Sequence, residues 1–362
     1  MSADRLARVR RRMDELGVDA LLLSLGADLP WLTGYEAMPL ERLTMLVLPA
    51  DADPTLVVAA LEAPRVGPRP ELFGVLPWAE TDDPVEIVAG LVGPRRRLAI
   101  SDRAWATFLL QLQASLPGAT WLAASLVTAP LRAVKDPAEV MALRAAAAAA
   151  DRVAAALQAG DIALVGRTEA EVSAELSRRL REEGHDRVNF AIVASGPNSA
   201  SPHHEAGRRT IEAGEAVVCD FGGTRAGYCS DITRTLFTGP PPAGFRHLYA
   251  VLQEAQAAAV EAAVVGMPCE DVDGVARRII DDAGYGPYFI HRTGHGIGLE
   301  EHEGPYLVGG NCEPLMAGNA FSVEPGIYLP GRFGARIEDI VVATEQGPEA
   351  LNTADHDLAV LG

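Results

Sequence analysis

The sequence is short of lysine, of paired cysteines and of long apolar runs. Lys135 is the only lysine among 31 basic residues, and 49 acids leave a formal charge of −18. The preference for arginine carries no functional meaning by itself. The missing positive surplus does argue against a surface that tracks phosphates, because nucleic-acid binders gather Lys and Arg on one face. No stretch reaches the roughly 18 apolar residues of a membrane span. Near the start a basic stretch precedes an apolar run, but Asp14, Glu15 and Asp19 interrupt any signal-peptide core. A cytoplasmic protein is expected, with neither nucleic acid nor membrane as partner. Cys219, Cys229, Cys269 and Cys312 show no CxxC spacing, which argues against a thiolate metal site or a disulfide framework and for reduced, partly buried thiols.

What is present suits two folded domains: 362 residues, 48% of them hydrophobic. Residues 5–25 begin as an amphipathic helix through Leu6, Val9, Met13 and Leu16, then pass at Gly17 into an apolar run that reads as a buried strand. Further strand-like runs around Met45, Val57 and Ala99 and a helical stretch over 104–116 make the first part a small α/β unit. The Pro-containing segment APLRAVKDP marks a boundary near residue 130. An alanine-rich helix over 138–158 follows. Thr168 and Glu171 then fit a capping box ahead of the stripe Val172, Leu176 and Leu180, ending near Gly184. Strand-like pieces, helices over 247–265 and 270–283, and strands again repeat the order in two halves, which predicts a pseudo-symmetric α+β domain.

The segment EAVVCDFGGTRAGYCSDITRTLF reads as a hairpin turning at 222–227. If Asp220 pairs near Cys229, Asp231 lies opposite Val218 and both carboxylates share one face. In AFSVEPGIYLPGRFGARIEDIVVAT, Glu324 can lie opposite Glu338 across a second turn. Carboxylates about 4 Å apart repel by roughly 4 kcal/mol per pair at an effective dielectric near 20, so acids gathered in a cavity imply cations or shared protons. The stretch HRTGHGIGLEEHEGP supplies His291, His295 and His302, with Gly294, Gly296 and Gly298 expected to let the backbone pass close to a ligand. It is not the helical HExxH motif, because no second histidine follows at the required spacing and Gly304-Pro305 would end a helix. Nor is it a dinucleotide fingerprint, since the third glycine's spacing and the following helix are lacking.

Five motifs, in order, carry a resemblance: Asp-Phe-Gly at Asp220, Ser-Asp-Ile-Thr-Arg at Asp231, Gly-His-Gly-Ile-Gly at His295, Glu-Pro-Gly-Ile-Tyr at Glu324 and Arg-Ile-Glu-Asp at Glu338. The chain resembles the pita-bread metallopeptidases. With Leu32-Thr33-Gly34 and the linker before Glu139, the first part resembles the N-terminal domain of prolidases and creatinases, which methionine aminopeptidases lack. The resemblance implies a creatinase/prolidase-like domain over residues 1–130 and a pita-bread catalytic domain over residues 131–362. It implies two divalent metal ions, with Asp220 on one, His295 and Glu324 on the other, and Asp231 and Glu338 bridging. That donor set suits Mn²⁺ first, then Co²⁺, Zn²⁺ or Fe²⁺. Glu324 is implied as general base, His203 and His302 as histidines that contact substrate, and His291 and Arg336 as residues that orient ligands or bind substrate.

The implied activity is hydrolysis of Xaa-Pro bonds in short proline-containing peptides by a homodimer. An Xaa-Pro dipeptidase is slightly favoured over an Xaa-Pro aminopeptidase. The alternative from another class is a catalytically inactive peptide-binding relative, which the intact acids and His203 and His302 argue against. A dipeptidase must recognise the carboxylate after proline. Glu303-Gly304-Pro305-Tyr306 lacks the arginine that some dipeptidases carry there, leaving Arg332, Arg292 or Arg208 as substitutes. His204 competes with its neighbour His203. His185, His247 and His356 read as surface or structural, and Cys229 as a small packing residue.

Overall fold

Apolar runs of four or five residues, too short for helices, form the first sheet. The computed structural model describes residues 3–67 and 69–361, and its internal contacts divide the chain after Arg132. The first unit comprises α1 (Ala3–Leu16), β1 (Ala20–Leu23), α2 (Asp28–Thr33), β2 (Met45–Pro49), β3 (Thr55–Ala59), β4 (Gly74–Trp78), α3 (Pro84–Val92), β5 (Arg97–Ile100), α4 (Ala106–Ser115), β6 (Thr120–Ala123) and α5 (Ser125–Ala133). Its sheet runs β4-β3-β2-β1-β5-β6. The central strands β1 and β2 are buried throughout, as continuous apolar runs covered on both faces should be.

The second unit contains α6 (Pro137–Gln158), α7 (Glu169–Glu182), β7 (Arg187–Ser195), β8 (Ala216–Arg225), β9 (Tyr228–Thr238), α8 (Ala243–Ala262), α9 (Cys269–Asp282), β10 (Gly294–Gly296), β11 (Glu303–Leu307), β12 (Ala320–Val323), β13 (Gly326–Leu329), β14 (Phe333–Arg336), β15 (Asp339–Thr344), β16 (Gly347–Ala350) and β17 (Ala359–Leu361). Capping boxes start α6 at Asp136 and α7 at Thr168, each satisfying backbone donors that a helix leaves open. One half sets α6 and α7 against the sheet β17-β9-β8-β7; the other sets α8 and α9 against β11-β10-β12-β15-β16. The halves correspond in detail: the residue capping α7, Thr168, bridges Thr210, and the residue capping α9, Pro268, bridges Pro314. Among the described residues no helix is long and apolar enough to cross a membrane.

Candidate active site

The first acidic pair is placed by a turn tighter than expected. β8 and β9 join through Ala226 and Gly227, both at positive φ (49° and 86°), the two-residue geometry that matches strand twist. Asp220 therefore faces Thr233, and Asp231 faces Gly222 rather than Val218. The register differs from the expected one by an even number of residues, so the two carboxylates remain diagonal neighbours on one face. Gly222 and Gly223 belong to β8, not to the turn.

The second pair arises from a broken hairpin. Val323 faces Asp339 on one side of the break and Gly326 faces Arg336 on the other, so Glu324 lies opposite Glu338. The two halves meet where Thr233 bridges Glu338 and the Thr233 hydroxyl donates to Glu338 Oε2 at 2.7 Å.

His295 enters on β10. The glycines around it admit neighbouring strands rather than a ligand: a Cβ on Gly294 would strike the Ser322 backbone, and one on Gly296 the Gly304 carbonyl. This corrects the ligand-approach reading. His295 Nδ1 donates to the Gly296 carbonyl at 3.0 Å, which fixes the tautomer and leaves the Nε2 lone pair toward the acids. Nε2 lies 3.3 Å from Glu324 Oε1 and 3.8 Å from Asp231 Oδ2. Burial, reinforced by His302, lowers the His295 pKa to about 3, so the ring is neutral.

All the residues expected to act line one cavity of about 490 Å³: Asp220, Asp231, His295, Glu324, Glu338, His203, His302, His291 and Arg336, a volume suited to a small ligand. Ligand atoms of Asp231, His295 and Glu338 all lie within 4.8 Å of one another. Burial raises Asp231 and Glu338 well above the carboxylate range, with the neighbouring acids adding to it. Burial likewise lifts Glu324 to about 7, against the opposing charge of Arg336.

Arg336 is fully engaged: it donates to Asp220 Oδ2 (2.5 Å), Tyr328 Oη (2.7 Å) and Thr233 Oγ1 (3.0 Å). His291 donates from Nδ1 to the Arg292 carbonyl (2.7 Å) and accepts at Nε2 from Tyr328 Oη (3.0 Å). Both therefore orient their neighbours. His203 lines the cavity, whereas His204 turns away to pair with buried Glu169 at 2.8 Å, which separates these adjacent histidines. Of the arginines offered for carboxylate recognition, Arg292 lines the cavity, stacked 4.4 Å over the Tyr306 ring. Its guanidinium makes no hydrogen bond among the described residues.

Sequence reasoning missed Phe190 and Ile192, which wall the cavity from β7, although their alternation along a strand was a usable signal. It also missed Tyr328, the hydroxyl between Arg336 and His291. Cys229 is buried with its thiol pushed up to about 12 by desolvation, as fits a packing residue, while Cys312 is exposed.

Converging acids and a neutral imidazole in a pseudo-symmetric fold define a metal-dependent hydrolase. Residues 141–345 match the metallopeptidase family M24, and residues 5–134 the creatinase/prolidase N-terminal domain. The chain belongs to metallopeptidase family M24. It is 44% identical over 364 residues to the probable dipeptidase PepE of Mycobacterium tuberculosis, covering 99% of this chain and 96% of that one. It is 36% identical to the Xaa-Pro dipeptidase of Lactobacillus helveticus, covering 98% of each. The solved prolidase from Thermococcus sibiricus superposes with a TM-score of 0.93 at 36% identity, covering 100% of both chains.

Proposed function

We propose that this metallopeptidase is an Xaa-Pro dipeptidase, working in the cytoplasm as a homodimer with two divalent ions, Mn²⁺ first. The observation that carries the reading is the guanidinium of Arg292, which has no ion pair or hydrogen bond among the described residues, beside a cluster of buried acids. The residues fit the ions: Asp220 Oδ1 and Asp231 Oδ1 are buried with no hydrogen-bond partner among the described residues, and an orphaned buried carboxylate oxygen is costly unless a cation takes it. Asp220, Asp231, His295, Glu324 and Glu338 would hold the pair, as oxygen donors with one neutral imidazole suit Mn²⁺. Bound there, the ions would lower the pKa of water toward about 7 and polarise the scissile carbonyl.

The chain's own residues do the rest. Glu324 accepts the proton of the attacking water and passes it to the departing prolyl nitrogen as the C–N bond breaks. His302 contacts the scissile amide and His203 the substrate backbone. Phe190 and Ile192 offer an apolar wall to the proline ring, whose nitrogen has no N–H for ordinary recognition. Arg292 takes the free carboxylate after proline, a charge-assisted contact that an extended peptide cannot offer. The PepE and Xaa-Pro dipeptidase relatives support the same reading.

The test is hydrolysis of Ala-Pro and Ala-Pro-Ala by chelated protein with and without Mn²⁺, with Ala-Ala and Met-Ala as controls. Metal-dependent cleavage of Ala-Pro alone is expected. Preference for Ala-Pro-Ala would make the enzyme an Xaa-Pro aminopeptidase, and cleavage only of the controls would overturn the proline specificity.

A further inference from the structure

Lys135, the chain's one lysine, has no place in the chemistry above. Its side chain is 1% exposed, and Nζ lies 2.5 Å from Oε1 of Glu303, itself 8% exposed. Two charges withdrawn this far from water are a poor source of stability, and what such a pair offers best is a fixed geometry.

The backbone shows which geometry. Lys135 N donates to the Gly318 carbonyl at 2.8 Å, and Asn319 Nδ2 donates to the Ala133 carbonyl at 3.0 Å. This ties the segment before α6 to the turn that feeds β12. A Cβ on Gly318 would fall 2.7 Å from the Lys135 carbonyl, so glycine alone permits the approach. From this anchor the lysine side chain reaches Glu303, the first residue of β11 and the one directly after His302. β11 and β12 flank β10, the His295 strand, so one side chain links its two neighbours. The Glu303 carboxylate also occupies the space over Gly298, where a Cβ would fall 2.6 Å from Oε1. The loop between β10 and β11 is thus held at Glu303.

His302 depends on that hold. Its ring stands 3.9 Å from the His295 ring, centroid to centroid, and makes no hydrogen bond among the described residues. Its position is inherited from the loop backbone. We propose that Lys135 is a positioning residue for His302, acting through its buried pair with Glu303. The inference rests on the reading that His302 contacts substrate.

The test is Ala-Pro kinetics with Mn²⁺-loaded variants. Lys135→Met is expected to lower kcat/KM by about 10-fold or more, the scale seen when a group supporting a functional residue is removed, with Lys135→Arg recovering most of it. Because Lys135→Met alone takes the cation from a buried carboxylate and risks unfolding, the Lys135→Met/Glu303→Met pair is measured beside it and should fold yet show the same loss. Adding Lys135→Met to His302→Ala should cost less than about 2-fold more, since coupled residues do not lose independently. Amine-selective labelling of Lys135, distinguishable as the sole lysine, should be slow in native protein and fast in Glu303→Gln. A folded Met/Met variant with unchanged kcat/KM, additive losses with His302→Ala, or rapid labelling of native Lys135 each overturns the proposal. If His302→Ala is harmless, the reading of His302 falls and this inference with it; if it is damaging while the Met/Met pair is harmless, only the inference falls.

Discussion

Asp231, Glu338 and Glu324 share a buried cavity, and burial raises all three pKa values, with neighbouring acids adding to it for each, Asp220 in the case of Glu324, whose rise the charge of Arg336 opposes. An acid whose folded pKa exceeds its unfolded one makes the native state bind more protons. Its contribution is present at low pH and is lost as pH rises, for Glu324 from its ordinary 4.5 through about 7. His295, lowered to about 3, acts in the opposite sense and withdraws stability as pH falls below 6.5. A bound cation needs ionised acids and a neutral imidazole, so its stabilisation should grow with pH. The gap in Tm between Mn²⁺-loaded and chelated protein is expected to widen from pH 5 to pH 8 in thermal melts; a constant or shrinking gap would contradict the raised acids. Arg292 gives a second prediction at this scale. Losing a charge-assisted hydrogen bond is worth about 1.5–3 kcal/mol, or roughly 10- to 100-fold. Arg292→Ala should lose that much kcat/KM on Ala-Pro but little on Ala-Pro-amide, which has no carboxylate. An equal loss on both would remove Arg292 from carboxylate recognition.

Strand geometry explains how far the site could be read in advance. The β8–β9 register is set by a turn whose first residue, Ala226, sits at φ 49°, a conformation costing about 1–2 kcal/mol for a residue with a Cβ. Ala226→Asn, the residue this turn prefers, should stabilise the protein by up to about 1 kcal/mol in urea unfolding, and a loss of stability would refute the turn assignment. Gly296→Ala should instead destabilise by about 1–3 kcal/mol through overpacking and weaken Mn²⁺ binding by displacing His295. Unchanged unfolding and metal titration together would show that β10 has slack. The shared face of Asp220 and Asp231 was legible because alternation survives an even error in register. Helix α7 was legible because its cap and its stripe are local. β10 was not, since Gly-His-Gly carries no apolar pattern, and neither was β4, whose Val75 and Leu76 are exposed and which contains Pro77. The Arg336–Asp220 pair joins residues 116 positions apart, a separation that no local signal spans.

At the scale of the whole chain, two inventories fall on different sides of Arg132. Trp31, Trp78, Trp105 and Trp121 are the chain's only tryptophans and all belong to the first unit, while every proposed metal ligand belongs to the second. Tryptophan fluorescence therefore reports the first unit alone, and far-UV circular dichroism reports both. A ligand that binds one folded unit stabilises that unit by mass action, and two-state unfolding requires that different probes give coincident transitions. With Mn²⁺ removed, the second unit should lose the compensation for its buried acids and melt first. Circular dichroism should then show an early transition that tryptophan fluorescence does not follow, and Mn²⁺ should shift the dichroism midpoint upward while leaving the fluorescence midpoint nearly fixed. Coincident transitions with and without metal would mean that the units unfold as one cooperative body, with the energy of the metal centre reaching the tryptophan-bearing sheet.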